Sequence, residues 1–195
     1  MPIDAKTVAM LREMTGAGMM DAKKALEEVG GDLEKAAEEL RKKGVTKAAK
    51  KSDRATSEGR VHAYIHATGK VGVLVEVLCE TDFVARNENF IAFCNDLAMH
   101  IAASDPSYLT REDVPEEIVA KEKELVASAL KEEGKPEAMI EKISQGKMDK
   151  WYGEVVLMEQ PFIKDEEKTI QELLTEQIVT IGENMAIRRF ARFAI

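Results

Sequence analysis

Apolar residues recur along this chain at two different periods, and the points where the period changes mark out its elements. Ala5, Val8 and Leu11 follow Asp4, a residue suited to capping a helix start, and Gly16 stands where a left-handed end cap is wanted. A second helix is predicted from Met19 to Val29, stopping at Gly30-Gly31, and Asp32 then caps a third with Leu33, Ala36, Ala37 and Leu40 on one face. Together they predict a small three-helix bundle over residues 1–44. The period then drops to two, with Val61, Ala63 and Ile65 alternating with His62, Tyr64 and His66. Thr68-Gly69-Lys70 turns the chain into Val71–Cys79, an almost continuous apolar run that predicts a strand covered on both faces. The two runs read as an antiparallel hairpin.

Helical spacing returns over residues 87–103, where Phe90, Ile91, Cys94, Leu97, Ala98 and Ile101 line a face expected to pack on the hairpin. Asp105-Pro106 breaks that helix. The next runs from Val114-Pro115 through Ile118, Val119, Leu125, Val126 and Leu130 to Gly134, and Pro136 opens another through Met139, Ile140 and Ile143. Trp151, the only tryptophan, is expected in the core. Thr169 caps a last helix with Ile170, Leu173, Leu174, Ile178 and Ile181, and residues 184–195 alternate enough to add a third strand, with Ile187, Phe193 and Ile195 on one side. The predicted class is α+β: an amino-terminal three-helix bundle (1–44), a basic linker (45–58), and a core (59–195) of a three-stranded antiparallel sheet with packed helices. Three strands leave two edges and an apolar face, which favours burial against a second copy of the chain, so a homodimer is expected.

With 195 residues, 45% apolar and 33% charged, the chain is long enough for one good core and a small accessory domain. A net charge of −8 argues against nonspecific nucleic-acid binding, which relies on basic residues releasing phosphate counterions, and points to protein partners. Over residues 41–60 the balance reverses, with Arg41, Lys42, Lys43, Lys47, Lys50, Lys51, Arg54 and Arg60 against Asp53 and Glu58. No aromatic residues are interleaved, so this stretch reads as a solvated tether. Residues 112–142 hold ten acids against five lysines, which a charged face on two antiparallel helices accounts for.

Cys79 and Cys94 lie in apolar surroundings without metal-ligand spacing and read as unpaired, buried and reduced, as suits a cytosol. His62 and His66 share a strand face, but His100 belongs to a helix and no Cys/His cluster joins them, so no metal site is expected. Gly16-Ala17-Gly18 lacks the spacing of a phosphate-cradling loop, and no nucleotide or other cofactor is expected on this chain. No charged leader precedes an apolar run, and no stretch approaches the roughly 20 apolar residues of a bilayer span, so an unanchored cytoplasmic protein is expected. No nucleophile beside a base, ligand cluster or framed pair of carboxylates points to an enzyme.

Between the strand ending at Cys79 and the helix starting near Asn87 stands Thr81-Asp82-Phe83, a polar cap followed at once by a large aromatic ring outside the core pattern. A rigid scaffold presenting an acid and an aromatic at a tight junction is where contact residues are found. Residues 76–86, Glu-Val-Leu-Cys-Glu-Thr-Asp-Phe-Val-Ala-Arg, resemble the Thr-Asp-Phe signature of the elongation factor Ts family, the guanine-nucleotide exchange factors of elongation factor Tu. Residues 11–26 resemble the amino-terminal signature of the same family, and the two blocks come in the family's order. One departure is Leu78, where the family commonly has Asn.

The resemblance implies that the bundle is ubiquitin-associated-like and that Arg12, Thr15, Gly16, Ala17, Gly18, Met19 and Met20 dock on the nucleotide-binding domain of elongation factor Tu. It also implies that Asp82 and Phe83, oriented by Thr81 and Val84, intrude on the partner and dislodge its Mg2+. Longer members resemble two related core halves, which again implies that a short chain pairs with itself. On spacing alone, Thr15–Met20 is a helix connection whose methionines fill the bundle core, and Thr81 or Asp82 is an ordinary cap with Phe83 in the core. The alternative function is a ubiquitin-associated-type adaptor without exchange activity, which the bundle alone would support and the Thr-Asp-Phe junction speaks against.

Overall fold

In the computed structural model, which describes residues 3–195, helices start and stop where the capping residues stand. Asp4 accepts the Thr7 amide at 2.6 Å and starts α1 (Ala5–Thr15), which Gly16 closes at φ 64° by donating its amide to the Arg12 carbonyl. Gly18 precedes α2 (Met19–Glu28), and Asp32 caps α3 (Leu33–Ala49) by accepting the Lys35 amide at 3.1 Å. Val8, Leu11, Ala22, Ala25, Leu26 and Ala36 make the bundle's core. α3 continues through residue 44 to Ala49, so the first part of the basic stretch is helical. Its charges are paired there: Lys43 with Glu28, Lys42 with Glu38 at 2.9 Å, and Lys47 with Asp21 at 2.8 Å. Residues 1 and 2 of the expected 1–44 segment lie outside the described residues.

Beyond the bundle the chain forms β1 (Glu58–Ile65), β2 (Val71–Cys79), the one-turn α4 (Asp82–Ala85), α5 (Glu88–Ser104), α6 (Glu116–Glu132), α7 (Glu137–Val155), β3 (Pro161–Phe162), β4 (Asp165–Thr169), α8 (Ile170–Ile181) and β5 (Met185–Ala194). The class is α+β, as the patterning predicts, with a three-stranded antiparallel sheet in the order β1-β2-β5. Gly59 is needed within it, because a Cβ there would stand 2.3 Å from the Val77 carbonyl oxygen.

The chain packs as two compact units, one of Met1–His62, Val75–Asp96 and Glu172–Arg188, the other of Ala63–Leu74, Leu97–Gln171 and Arg189–Ile195. In the first, α8 lies against the bundle: Arg41 pairs with Glu172, and Lys51 donates to the Ile178 carbonyl at 3.3 Å. In the second, α6 and α7 pack together through Val126, Leu130 and Met148. Arg111 secures the base of α7 by pairing with Glu159 and, at 3.2 Å, with Asp149, while its guanidinium lies 4.2 Å from the centre of the Tyr152 ring.

The structure corrects the sequence reading in three places. Trp151 is half-buried, because α7 runs on through it to Val155 and its ring sits 4.9 Å from that of Tyr152 at the rim of the α6–α7 cluster. A second, two-stranded sheet of β3 and β4 precedes α8, and its short and mostly polar strands give no alternation to read. The sheet is also covered on one face only. Val73, Val75, Val77 and Cys79 of β2 are buried, whereas Leu74 and the apolar side of β1, Val61 and Ile65, are exposed. In β5, Ile187 is buried, while Phe193, and Ile195 just beyond the strand, are exposed despite sharing its parity.

His100 is buried in the second unit, and its neighbours fix its tautomer. The Ile163 amide donates to Nδ1 at 3.4 Å, so Nε2 carries the proton and donates to Gln160 Oε1 at 3.0 Å. The Gln160 amide nitrogen in turn donates to the Glu154 carbonyl at 2.7 Å and the Ser104 carbonyl at 3.3 Å. Burial lowers the His100 pKa below its ordinary 6.5, outweighing the Gln160 bond, which raises it. Such a group contributes stability that is full above pH 6.5 and is lost as the pH falls below it, because the unfolded chain then takes up a proton that the folded chain refuses. Thermal unfolding followed from about pH 7.5 to about 5 should show a falling midpoint across this window. His100→Gln should be less stable at the upper pH yet show a flatter fall, and equal slopes for the two proteins would remove His100 as the source.

Candidate partner-binding site

The turn between α1 and α2 is built by its own side chains. Thr15 Oγ1 donates to the Leu11 carbonyl at 2.7 Å and accepts the Ala17 amide at 3.4 Å, and Arg12 Nε donates to the Ala17 carbonyl at 3.2 Å. Gly16 supplies the left-handed backbone, and Gly18, with φ −62° and ψ 152°, hands the chain to α2. Met19 and Met20 then project into solvent, 59% and 76% exposed. They do not fill the bundle core, as spacing alone suggested, because Ala22, Ala25 and Leu26 of the same helix occupy it. Arg12, Thr15, Gly16, Ala17 and Gly18 line a groove of about 960 Å³ together with Val179 and Thr180 of α8, and a Cβ at Gly16 would stand 3.2 Å from Thr180 Oγ1.

At the other junction, β2 ends at Cys79, whose thiol donates to the Thr81 carbonyl at 3.2 Å. Thr81 stays extended, with φ −127° and ψ 155°, and its hydroxyl accepts the Val84 amide at 3.4 Å to cap α4. Asp82 pairs with Arg86 at 3.0 Å, Val84 is half-buried and Ala85 is buried. Phe83 lies 83% exposed, so it does not join the core. Covering such a ring on a partner removes apolar surface from water and is worth about 1.5–3 kcal/mol. Both cysteines are free and buried, and burial pushes the Cys79 thiol up to about 11 and the Cys94 thiol up to about 12, so neither ionises near neutral pH.

Three residues outside the sequence-derived site converge on this junction. Glu183 Oε2 accepts the Glu80 amide at 3.1 Å and the Thr81 amide at 3.0 Å, and its Oε1 accepts the Thr81 hydroxyl at 2.7 Å. Glu80 Oε1 accepts the Asn184 amide at 2.6 Å and an Arg54 N–H at 3.4 Å. The Asn184 bond is the main cause that lowers the Glu80 pKa, and Arg54 adds to it. Asn184 Nδ2 closes the ring by donating to the Ser52 carbonyl at 3.2 Å and the Arg54 carbonyl at 2.9 Å. The visible signal was an acid and an amide directly after Gly182, between an apolar helix and an apolar strand. Local pattern does not say which distant amides they serve.

Among the described residues, no group of three or more His, Cys, Asp and Glu side chains is placed to hold a metal ion, and no helix is long and apolar enough to cross a membrane. A family model described as Elongation factor TS matches residues 5–177, which include both the turn and the Thr81–Val84 junction. This chain belongs to the elongation factor Ts family. Elongation factor Ts of Geobacter sulfurreducens is 58% identical over 195 residues, 100% of this chain and 90% of that protein. The protein of the same name from Moorella thermoacetica is 55% identical over 193 residues, 99% of this chain and 95% of its own length. That of Anaeromyxobacter sp. (strain K) is 58% identical over 193 residues, covering 99% of this chain and 88% of the relative. Membership of the elongation factor Ts family makes the chain a factor of translation elongation in protein biosynthesis.

The exposure of Phe83 has a direct mechanical test. Phe83→Ala should change unfolding free energy by no more than about 0.5 kcal/mol, as at an ordinary surface position. Phe90→Ala, which truncates a fully buried ring, should cost about 3–5 kcal/mol. Urea unfolding of the two variants measures both, and a loss at Phe83 as large as at Phe90 would show the ring to be part of the core.

Proposed function

We propose that this chain is the guanine-nucleotide exchange factor of elongation factor Tu. It binds the GDP-bound partner, disturbs the Mg2+ and phosphate site, and lets GDP leave so that GTP can enter. The observation that carries this reading is the exposed Phe83 ring, set beside Asp82 on a one-turn helix at the end of a buried strand. No bond is made or broken by the chain itself. Its work is linkage: if the factor lowers the partner's affinity for GDP, GDP lowers the partner's affinity for the factor by the same ratio. Much of a GTPase's hold on nucleotide comes from backbone amides around the phosphates and from the bridging Mg2+. In this reading Phe83 wedges between partner side chains and Asp82 engages or displaces polar groups near the ion, while Thr81 and Val84 set their direction.

The same reading divides the chain into a docking bundle (1–44), a basic linker (45–58) and an exchange and dimerisation core (59–195), all acting in the cytoplasm. Arg12, Thr15, Gly16, Ala17, Gly18, Met19 and Met20 hold the partner, and the exposure and flexibility of the two methionines suit such a contact. Release of fluorescent GDP from purified elongation factor Tu tests the function. Catalytic amounts of this chain should speed release by about tenfold or more, and an unchanged rate would overturn the proposal. Changing Met19 and Met20 together to Ala should raise the half-saturating concentration by about tenfold while leaving the saturating rate unchanged, the signature of lost uniform binding.

We also propose a homodimer. Ile65, Gly72, Leu74, Phe193 and Ile195 line an open apolar depression of about 580 Å³, and a second copy of the same surface would take these groups from water. Sedimentation at tens of micromolar, about the range of a modest interface, should give a dimer. Phe193→Asp should give a monomer, and a monomeric unmodified chain under those conditions would refute the assembly.

A further inference from the structure

Phe83 is so exposed that no packing of its own sets where the ring points. Its direction comes from the backbone of Thr81 to Ala85, and within that stretch every polar atom of Thr81 is held. The Thr81 amide donates to Glu183 Oε2 at 3.0 Å, and its carbonyl accepts the Cys79 thiol at 3.2 Å and the Ala85 amide at 3.2 Å. The hydroxyl has a single proton, which goes to Glu183 Oε1 at 2.7 Å. Its lone pairs are thereby left to face the Val84 amide, which they cap at 3.4 Å. The cap that starts α4 is therefore set by a carboxylate roughly a hundred residues along the chain, one that also accepts the Glu80 amide at 3.1 Å.

We propose that Glu183 is a positioning residue for the exchange step: it fixes the Thr81 rotamer and main chain, and through them the aim of the Phe83 ring at the partner. This rests on the reading of Phe83 as the acting group. Glu183 is itself held in place by its neighbour, because Asn184 donates its amide to Glu80 and its side chain to the Ser52 and Arg54 carbonyls. A carboxylate fits this role better than a neutral acceptor, since bonds to an ionised oxygen are shorter and about twice as strong.

The test separates rate from binding, using the full chain and purified elongation factor Tu loaded with fluorescent GDP. Glu183→Ala should lower the saturating release rate by about tenfold or more, the rate equivalent of one lost charge-assisted hydrogen bond. The half-saturating concentration should stay within about twofold, because docking through the α1–α2 turn is untouched. Glu183→Gln keeps an acceptor for the two amides and should fall between Ala and the unmodified chain. In a Phe83→Ala background, Glu183→Ala should slow release no further, since its effect runs through that ring. Unmodified rates in both Glu183 variants, or equal slowing with and without Phe83, would overturn the assignment. Should Glu183→Ala fail to fold by circular dichroism, Glu183→Gln and Thr81→Val must show the reduced saturating rate instead, and unmodified rates in these two overturn it equally. If Phe83→Ala alone releases GDP at the unmodified rate, the underlying reading fails and Glu183 falls with it; if Phe83→Ala is slow and Glu183→Ala fast, only Glu183 falls.

Discussion

Backbone amides that run off the end of a sheet must find acceptors, and at the end of β2 the amides of Glu80 and Thr81 find one carboxylate. The exchange is reciprocal, because the Glu80 side chain accepts the amide of Asn184, the residue next to that carboxylate. Removing either acid hands an amide of the other segment to water, a loss of about 0.5–1.5 kcal/mol for each bond at this partly exposed site. Around this cross-link three stretches distant in sequence meet: the end of the basic stretch at Ser52 and Arg54, the exit of β2, and the entry to β5. The direction of α4 and the entry of β5 follow from it.

What could be read from the sequence was local. Asp4, Asp32 and Gly16 announced the bundle because capping needs only a side chain three residues from an amide, or a residue tolerant of positive φ. Val71–Cys79 announced β2 because its β-branched run fits a strand. Alternation separates the two faces of a strand but does not say which will be covered, so the exposure of Val61 and Ile65 was invisible. β3 stayed hidden because it is two residues long and β4 because it is polar, and Trp151 looked like a core residue because composition says nothing of a rim. Of the candidate site, the Thr81–Val84 junction was legible through its motif, whereas Glu183 was not, because its partners lie 102 and 103 residues away.

The apolar groups left outside fall into three kinds of surface. Met19 and Met20 are flexible side chains on a small-residue turn, suited to adapting to a partner's contour. Phe83 is a rigid ring on a backbone held from several sides. Phe193 and Ile195 border an open apolar depression with Ile65 and Leu74.

The α6–α7 pair has a consequence of its own. Its 17- and 19-residue helices extend roughly 25–29 Å at 1.5 Å per residue, secured at the base by Arg111 and joined by the cluster of Val126, Leu130 and Met148. Beyond Leu130, which is still fully buried, and the Glu133–Lys147 pair at 3.4 Å, come the turn at Gly134 and the exposed Met139. Amide protons should therefore trade with solvent soonest at the tip and slowest at the root. An arm graded in this way can gain or lose whole turns at its far end without disturbing its root, so arm length is the dimension of this fold most open to evolutionary drift.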